Sequence, residues 1–215
     1  MIVYGASLSP FVRKVLAFGA EKGMALEHQP ILLDSDDAAF LECSPFKKIP
    51  GFRDGDFAIS DSSAIITYLE AMKPEPALIP AEPRARARTI WYDEFGDTIL
   101  FGCGHKMFFN RIVAPRFLKR EGNLAEADEA ERAELPPILD YLERVIPESG
   151  WLVGDRLTLA DIAVASPFAN FRHLGIDIGI ESRPKLAAWV DKMLSRDSFS
   201  GWIEREAAFL EKTAA

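Results

Sequence analysis

The segment Lys73-Pro-Glu-Pro-Ala-Leu-Ile-Pro-Ala-Glu-Pro83 constrains the fold more than any other, because four of its eleven residues are proline. Each proline fixes φ and removes an N–H donor, so neither a helix nor an interior strand runs through it. It divides a 215-residue chain into two stretches of different pattern. We read residues 1–73 as one domain, 74–83 as a linker and 84–215 as a second domain. The length is ample for a core in each.

Before the linker, short apolar runs rich in β-branched residues alternate with helical periodicity. Residues 2–5 read as a strand, 10–22 as a helix and 26–33 as a second strand ending at Asp34-Ser-Asp-Asp37. A short helix follows at 37–43. Ile49 to Arg53 and Phe57 to Ile59 flank Asp54-Gly55, a hairpin signal. Residues 61–72 then place Ile65, Ile66, Leu69 and Met72 on one helical face. The order βαβ, α, ββ, α predicts a small mixed sheet with helices packed against it.

After the linker the pattern is helical throughout. Trp91, Phe95, Ile99 and Gly102 form one stripe, and Leu135, Ile138, Leu139 and Leu142 another. Leu186, Trp189, Val190 and Met193 follow Pro184, and Phe199, Trp202, Ile203 and Phe209 make the last. Such stripes are read as core. In Leu157-Thr-Leu-Ala-Asp-Ile162, Thr158 reads as a helix N-cap with Asp161 as its reciprocal partner. Leu157 and Ile162 are placed to form a hydrophobic staple.

Composition narrows the function. A net charge of −8 argues against nonspecific nucleic-acid binding, which needs a basic surface. The exception, Arg84-Ala-Arg-Ala-Arg88, reads as a solvated first helical turn. No apolar run reaches the ~18 residues of a membrane span, and no signal-peptide pattern opens the chain. Cys43 and Cys103 are too few for a disulfide framework, so a cytoplasmic protein is expected.

Three N-terminal features could converge on one anionic ligand. Ser9-Pro10 reads as an N-cap with proline at the first helical position, presenting a hydroxyl and unpaired N–H groups at a helix start. In Lys47-Lys48-Ile49-Pro50-Gly51 the proline implies either an edge strand or a cis bond. A cis bond would turn the Ile49 backbone outward, ready to pair with an extended peptide. Ser60-Asp61-Ser62-Ser63 opens another helix with donors suited to a carboxylate. Arg13, Lys47 and Lys48 are the nearby cations. Each feature alone is satisfied by a structural role: a cap, an edge strand, a cap.

Taken in order, these features resemble the glutathione transferase superfamily, over nearly the whole length. The resemblance rests on Ser9-Pro10-Phe11, Lys48-Ile49-Pro50, Asp61-Ser62-Ser63-Ala64-Ile65, the proline linker, Leu157-Thr158-Leu159-Ala160-Asp161 and Arg183-Pro184-Lys185-Leu186-Ala187-Ala188-Trp189. The serine-type classes look most similar, the tau class in particular. The resemblance implies a thioredoxin-like α/β domain (βαβ-α-ββ-α) followed by an all-α helical domain. It implies glutathione as co-substrate, with no metal, and a cytoplasmic homodimer acting in detoxification. The two-fold contact would involve the helix carrying Arg84 to Arg88 and Asp97.

The resemblance also assigns roles. Ser9 would donate a hydrogen bond to the glutathione sulfur and favour the thiolate. Ile49, before a cis Pro50, would hold the cysteinyl backbone. Asp61 would take the γ-glutamyl ammonium and Ser62 its carboxylate, while Lys48 would assist near the glycyl carboxylate. Phe11, Lys106 and Phe109 would line the pocket for a small hydrophobic electrophile, with Gly102 on the same face as Lys106 and Phe109. Ser7 lies close enough to share the role of Ser9. Tau-like proteins carry a further lysine where this chain has the acidic run 34–37, which implies looser binding of the glycyl end.

Classes of this superfamily that carry cysteine near this position form mixed disulfides with glutathione; with serine at position 9, and Cys43 and Cys103 elsewhere, the resemblance implies thioether formation or peroxidase chemistry over thiol–disulfide exchange. The chain also lacks the Ser-Ser-Cys-Ser signature of the maleylacetoacetate-isomerising class. Cys103-Gly-His105 offers too few ligands for zinc, and no Gly-x-Ser-x-Gly elbow marks a serine hydrolase. Two alternatives stay open: a non-catalytic interaction module on the same fold, and a specialised glutathione-dependent dehalogenase, ether-cleaving enzyme or peroxidase.

Overall fold

The computed structural model describes residues 1–31 and 35–213. The N-terminal stretch forms β1 (Ile2–Tyr4), α1 (Pro10–Glu21), β2 (Glu27–Gln29), α2 (Ala38–Cys43), β3 (Gly51–Asp54), β4 (Phe57–Ser60) and α3 (Ser62–Met72). The sheet order is β2-β1-β3-β4, with β1 parallel to β2 and antiparallel to β3, and β3 antiparallel to β4. This is the small mixed sheet the βαβ-α-ββ-α pattern predicts.

Local differences have local causes. The second strand is shorter than 26–33: it ends at Gln29, and Leu32, Leu33 and Asp34 lie outside the described residues. Asp37 stands just before α2 as its N-cap, accepting from the Phe40 N–H at 2.8 Å. Asp54 pairs with Phe57, so the hairpin loop is Gly55-Asp56, one residue beyond the Asp54-Gly55 reading. Gly55 supplies its positive φ of 59°. Pro50 is not on an edge strand, because β3 lies between β1 and β4; of the two readings, the cis Ile49–Pro50 bond is the one found.

After α3 ends at Met72, no regular element intervenes until α4 (Pro83–Glu94). The helical part continues through a wide π-type stretch (Phe95–Leu100), α5 (Phe101–Phe108) and a second π-type stretch (Phe109–Phe117). Then come α6 (Leu124–Glu129), a third such stretch (Ala130–Glu134), α7 (Leu135–Val145), α8 (Leu159–Leu174), α9 (Pro184–Leu194) and α10 (Asp197–Lys212). One expected core stripe is overturned. Phe95 is buried, but Trp91, Ile99 and Gly102 are exposed, as is Phe209 of the last stripe. The buried face runs one residue over, through Tyr92, Gly96, Leu100 and Cys103, the same helical period in a different phase, set by which side of the helix packs on its neighbours.

α8 is the axis of this half and is buried from Leu159 to Phe171. Gly96 lets the first π-type stretch close on it: a Cβ there would sit 2.9 Å from the Ala163 carbonyl oxygen. One continuous core joins Val3, Val12, Phe18 and Phe52 of the sheet half to Leu100, Val164, Phe168 and Trp189 of the helical half.

Candidate functional site

Strand register assembles the site. Tyr4 is paired with Gly51, and Gly51 with Ser60, so the ends of β1 and β4 and the start of β3 lie in one row across the sheet. The residues that follow Tyr4, precede Gly51 and follow Ser60 therefore emerge at the same edge. These are the β1–α1 loop leading to Ser9, the cis Ile49–Pro50 segment, and Asp61-Ser62. Neighbouring strands are ~4.8 Å apart, so the row spans roughly 10 Å, the length of an extended tripeptide. Gly5 allows the first two features to touch, since a Cβ on its backbone (φ 143°) would stand 3.0 Å from the Ile49 Cβ.

Ser9 caps α1 with Pro10 in the first turn, as the sequence reads, but its hydroxyl makes no cap hydrogen bond. Its backbone is tied instead: the N–H donates to the Ala6 carbonyl and its own carbonyl accepts from Arg13 N–H, both at 3.0 Å. The side chain is half-buried at the head of the helix. Ser7, in the turn before it, is also partly exposed.

The Lys48 main chain is clamped by Ser44, whose Oγ donates to its carbonyl at 2.6 Å and accepts from its N–H at 2.9 Å. This holds the Lys48–Pro50 segment while Lys48 itself remains exposed. Lys47 pairs with Asp36 at 2.7 Å, so the acidic run compensates one of the cations expected to face an anion. Arg13 is a second correction: it is fully buried, against Glu206 at 2.7 Å, and faces the helical half.

Asp61 adopts φ 83°, ψ 126°, a backbone conformation costly for a residue with a Cβ. Its carboxylate accepts from the Ser63 and Ala64 N–H groups, both at 3.0 Å, which repays part of that strain. Ser62 is buried behind it with Oγ 3.4 Å from Asp97. Behind α3 lies a buried charge cluster that no local signal in the chain announces. Lys14 Nζ donates to Asp93 at 2.7 Å and to Asp97 at 2.5 Å, and Ser63 Oγ donates to Asp93 at 2.7 Å. Burial, then the neighbouring Asp93 charge, outweigh Lys14 and push the Asp97 carboxyl up to about 6.

The residues named for an apolar pocket separate. The Phe11 ring packs tilted against Phe101 with centroids 4.5 Å apart, and Phe101 stands 5.2 Å from His105, itself 5.1 Å from Phe109. Arg120 lies over the Phe109 ring at 5.2 Å. Lys106 leaves this ladder and is held by Glu134 at 2.7 and 2.8 Å. Phe101 and His105 were missed by sequence reasoning, although the four-residue recurrence 101, 105, 109 was there to find. Both cysteines are buried, and burial pushes the Cys103 thiol up to about 11. The chain's own thiols are therefore poor nucleophiles at neutral pH. Among the described residues no cluster of metal-ligating side chains occurs, and no helix is long and apolar enough to cross a membrane.

Comparison with known proteins places this arrangement. Residues 3–77 match the family "Glutathione S-transferase, N-terminal domain" and residues 105–197 the family "Glutathione S-transferase, C-terminal domain". A glutathione S-transferase of Hyoscyamus muticus is 27% identical over 95% of this chain and 98% of its own. Glutathione S-transferase theta-1 of Homo sapiens is 31% identical over 75% of this chain and 68% of its own. The crystal structure of a glutathione S-transferase from Rhodospirillum rubrum F11 superimposes with a TM-score of 0.86 at 25% identity, covering 98% of this chain and 99% of that one.

Proposed function

This chain belongs to the glutathione S-transferase family, and we propose that it joins the sulfur of reduced glutathione to a small electrophile. The observation that carries the reading is the register Tyr4–Gly51–Ser60, which aligns three ligand-binding features at one sheet edge. In this reading glutathione lies extended across these strand ends, its cysteinyl backbone on the Ile49 main chain beside cis Pro50. Asp61 takes the γ-glutamyl ammonium, Ser62 its carboxylate, and Lys48 the glycyl end. Ser9 donates to the sulfur, lowers the thiol pKa and holds the thiolate. The thiol proton leaves to solvent, the sulfur forms a bond to an electrophilic carbon, and the leaving group departs with its electron pair. No general base beside Ser9 is required. The electrophile stands against Phe11 and the ladder of Phe101, His105 and Phe109.

Ser9→Ala is expected to reduce turnover of a chloronitroaromatic substrate by ten- to a hundredfold or more, the worth of a charge-assisted hydrogen bond of roughly 1.5–3 kcal/mol. Retention on immobilised glutathione should persist. Full turnover in the variant would remove Ser9 from the chemistry. No retention and no conjugation by the wild-type chain would favour a non-catalytic interaction module. A substrate panel that includes haloalkanes and hydroperoxides distinguishes conjugation from dehalogenation and peroxide reduction. We further propose a homodimer of this 23.9 kDa chain, and light scattering that finds a single-chain particle would overturn it.

A further inference from the structure

Ser9 belongs to the sheet domain, where its own N–H and carbonyl are tied to Ala6 and Arg13, yet the carbonyls of its two chain neighbours are held from the helical domain. On α8, Ser166 Oγ donates to the Pro10 carbonyl at 2.7 Å, and Asn170 Nδ2 donates to the Leu8 carbonyl at 3.1 Å. These positions are one helical turn apart and grip the peptide carbonyls on either side of Ser9. The amide of Asn170 is oriented in turn, because its Oδ1 accepts from Arg13 Nη2 at 2.9 Å. Arg13 also donates to the Ser166 carbonyl at 2.8 Å and to both carboxylate oxygens of Glu206 on α10, at 3.2 and 2.7 Å. His173 Nε2 lies 2.9 Å from Glu206 Oε2. Arg13, Ser166, Asn170 and Glu206 are all at most 6% exposed.

A buried ionic network is a costly way to hold two domains together, since well-packed apolar side chains of similar volume often do so as well or better. Apolar packing is already present here: the Leu8 side chain sits against Phe108, Ile112 and Leu210. What apolar contact does not supply is direction. The donor at the Leu8 carbonyl fixes the peptide plane that enters Ser9, and the donor at the Pro10 carbonyl fixes the plane after Pro10, whose ring holds the φ between; together they limit where the Ser9 Cα–Cβ bond points. The Ser9 hydroxyl makes no cap bond of its own that would do this.

We propose that Ser166 and Asn170, oriented by Arg13 and Glu206, are positioning residues for Ser9, so that the helical domain sets the aim of the hydroxyl at the glutathione sulfur. This rests on the reading that Ser9 is the donor to that sulfur. The other groups assigned to glutathione, Lys48, Ile49, Asp61 and Ser62, lie outside the network.

The experiment measures the thiol pKa of enzyme-bound glutathione by thiolate absorbance against pH, with kcat, the KM for glutathione and thermal stability, in Ser9→Ala, Ser166→Ala and Asn170→Asp. Ser166→Ala removes one hydroxyl from a helix at a site alanine tolerates, so it should fold. Asn170→Asp keeps the acceptor for Arg13 and loses the donor to Leu8. Both positioning variants should raise the bound thiol pKa and lower kcat by roughly three- to tenfold, the worth of one hydrogen bond. The KM for glutathione should change less than twofold. Adding Ser166→Ala to Ser9→Ala should lower kcat no further, since the positioned group is already gone. If Ser9→Ala raises the bound thiol pKa but the α8 variants only lower the melting temperature, the positioning role is overturned while the proposed function stands. If Ser9→Ala leaves the thiol pKa unchanged, the role of Ser9 as donor to the sulfur and the positioning role fail together, and conjugation by the wild-type chain is then judged on its own.

Discussion

Lys14 shows how far a single residue's environment can depart from what its neighbours in the chain imply. It sits in a helix beside Arg13 and is 1% exposed, compensated by carboxylates 79 and 83 residues away. Burial, and after it the neighbouring Asp93 charge, outweighs the Lys14 ammonium at Asp97, whose carboxyl rises from an ordinary value near 3.8 to about 6. The folded chain therefore binds a proton more readily than the unfolded one between about pH 4 and pH 6. An acid whose folded pKa is raised makes the fold lose stability as pH rises through that window. Asp97→Asn should remove this loss. Relative to the wild type it should gain on the order of 2–3 kcal/mol between pH 4 and pH 7, then show a constant difference above pH 7. Urea unfolding of both proteins from pH 4 to 8 measures this, and a pH-independent difference throughout would contradict it.

At the scale of elements, α8 combines the clearest local signal with the least legible function. Its start was readable, because Thr158 and Asp161 have the spacing of a capping box, which forms. Asp161 does more than cap: its carboxylate accepts from Thr158 N–H at 3.0 Å, Leu152 N–H at 2.9 Å and the Trp189 indole at 3.3 Å. Thr158→Ala should therefore cost about 1 kcal/mol. Asp161→Ala leaves several buried donors without partners and should cost about 2–4 kcal/mol. Equal losses in chemical denaturation would show that the contacts to Leu152 and Trp189 carry nothing. Further along the same helix, Ser166 and Asn170 have no pattern that marks them. Their partners are carbonyl groups more than 150 residues earlier. The π-type stretches were illegible for a related reason: helical periodicity assumes a constant turn, and burial against α8 decides where a wider one is stabilised.

At the scale of the whole molecule, α1 is the member both domains share. Arg13 reaches α8 and α10, Lys14 reaches Asp93 and Asp97, and Glu21 near the helix's far end is paired with Arg196 at 2.6 and 2.8 Å and accepts from Ser198 at 2.6 Å. With the hydrophobic core continuous across the proline linker, the two halves should unfold as one unit. All four tryptophans lie after the linker, so their fluorescence follows the helical half, whereas far-UV circular dichroism also follows the sheet. Coincident urea midpoints by the two probes are expected. Separated midpoints would mean that the buried charges between domains contribute direction without cooperativity.

By itself the sequence determined the order of elements, the helix starts at Ser9, Asp61 and Thr158, and the proline stop between the two halves. Those features depend on backbone sterics and on donors and acceptors a few residues apart, so they are written locally. Tertiary structure alone decided that Pro50 precedes an interior strand, that Tyr4, Gly51 and Ser60 share one row, and that Arg13 and Lys14 turn away from any ligand. It also decided that residues of α8 hold the backbone around Ser9. Each of these depends on which distant groups meet once water is excluded, and a buried charge or carbonyl takes whichever partner the completed packing brings within reach.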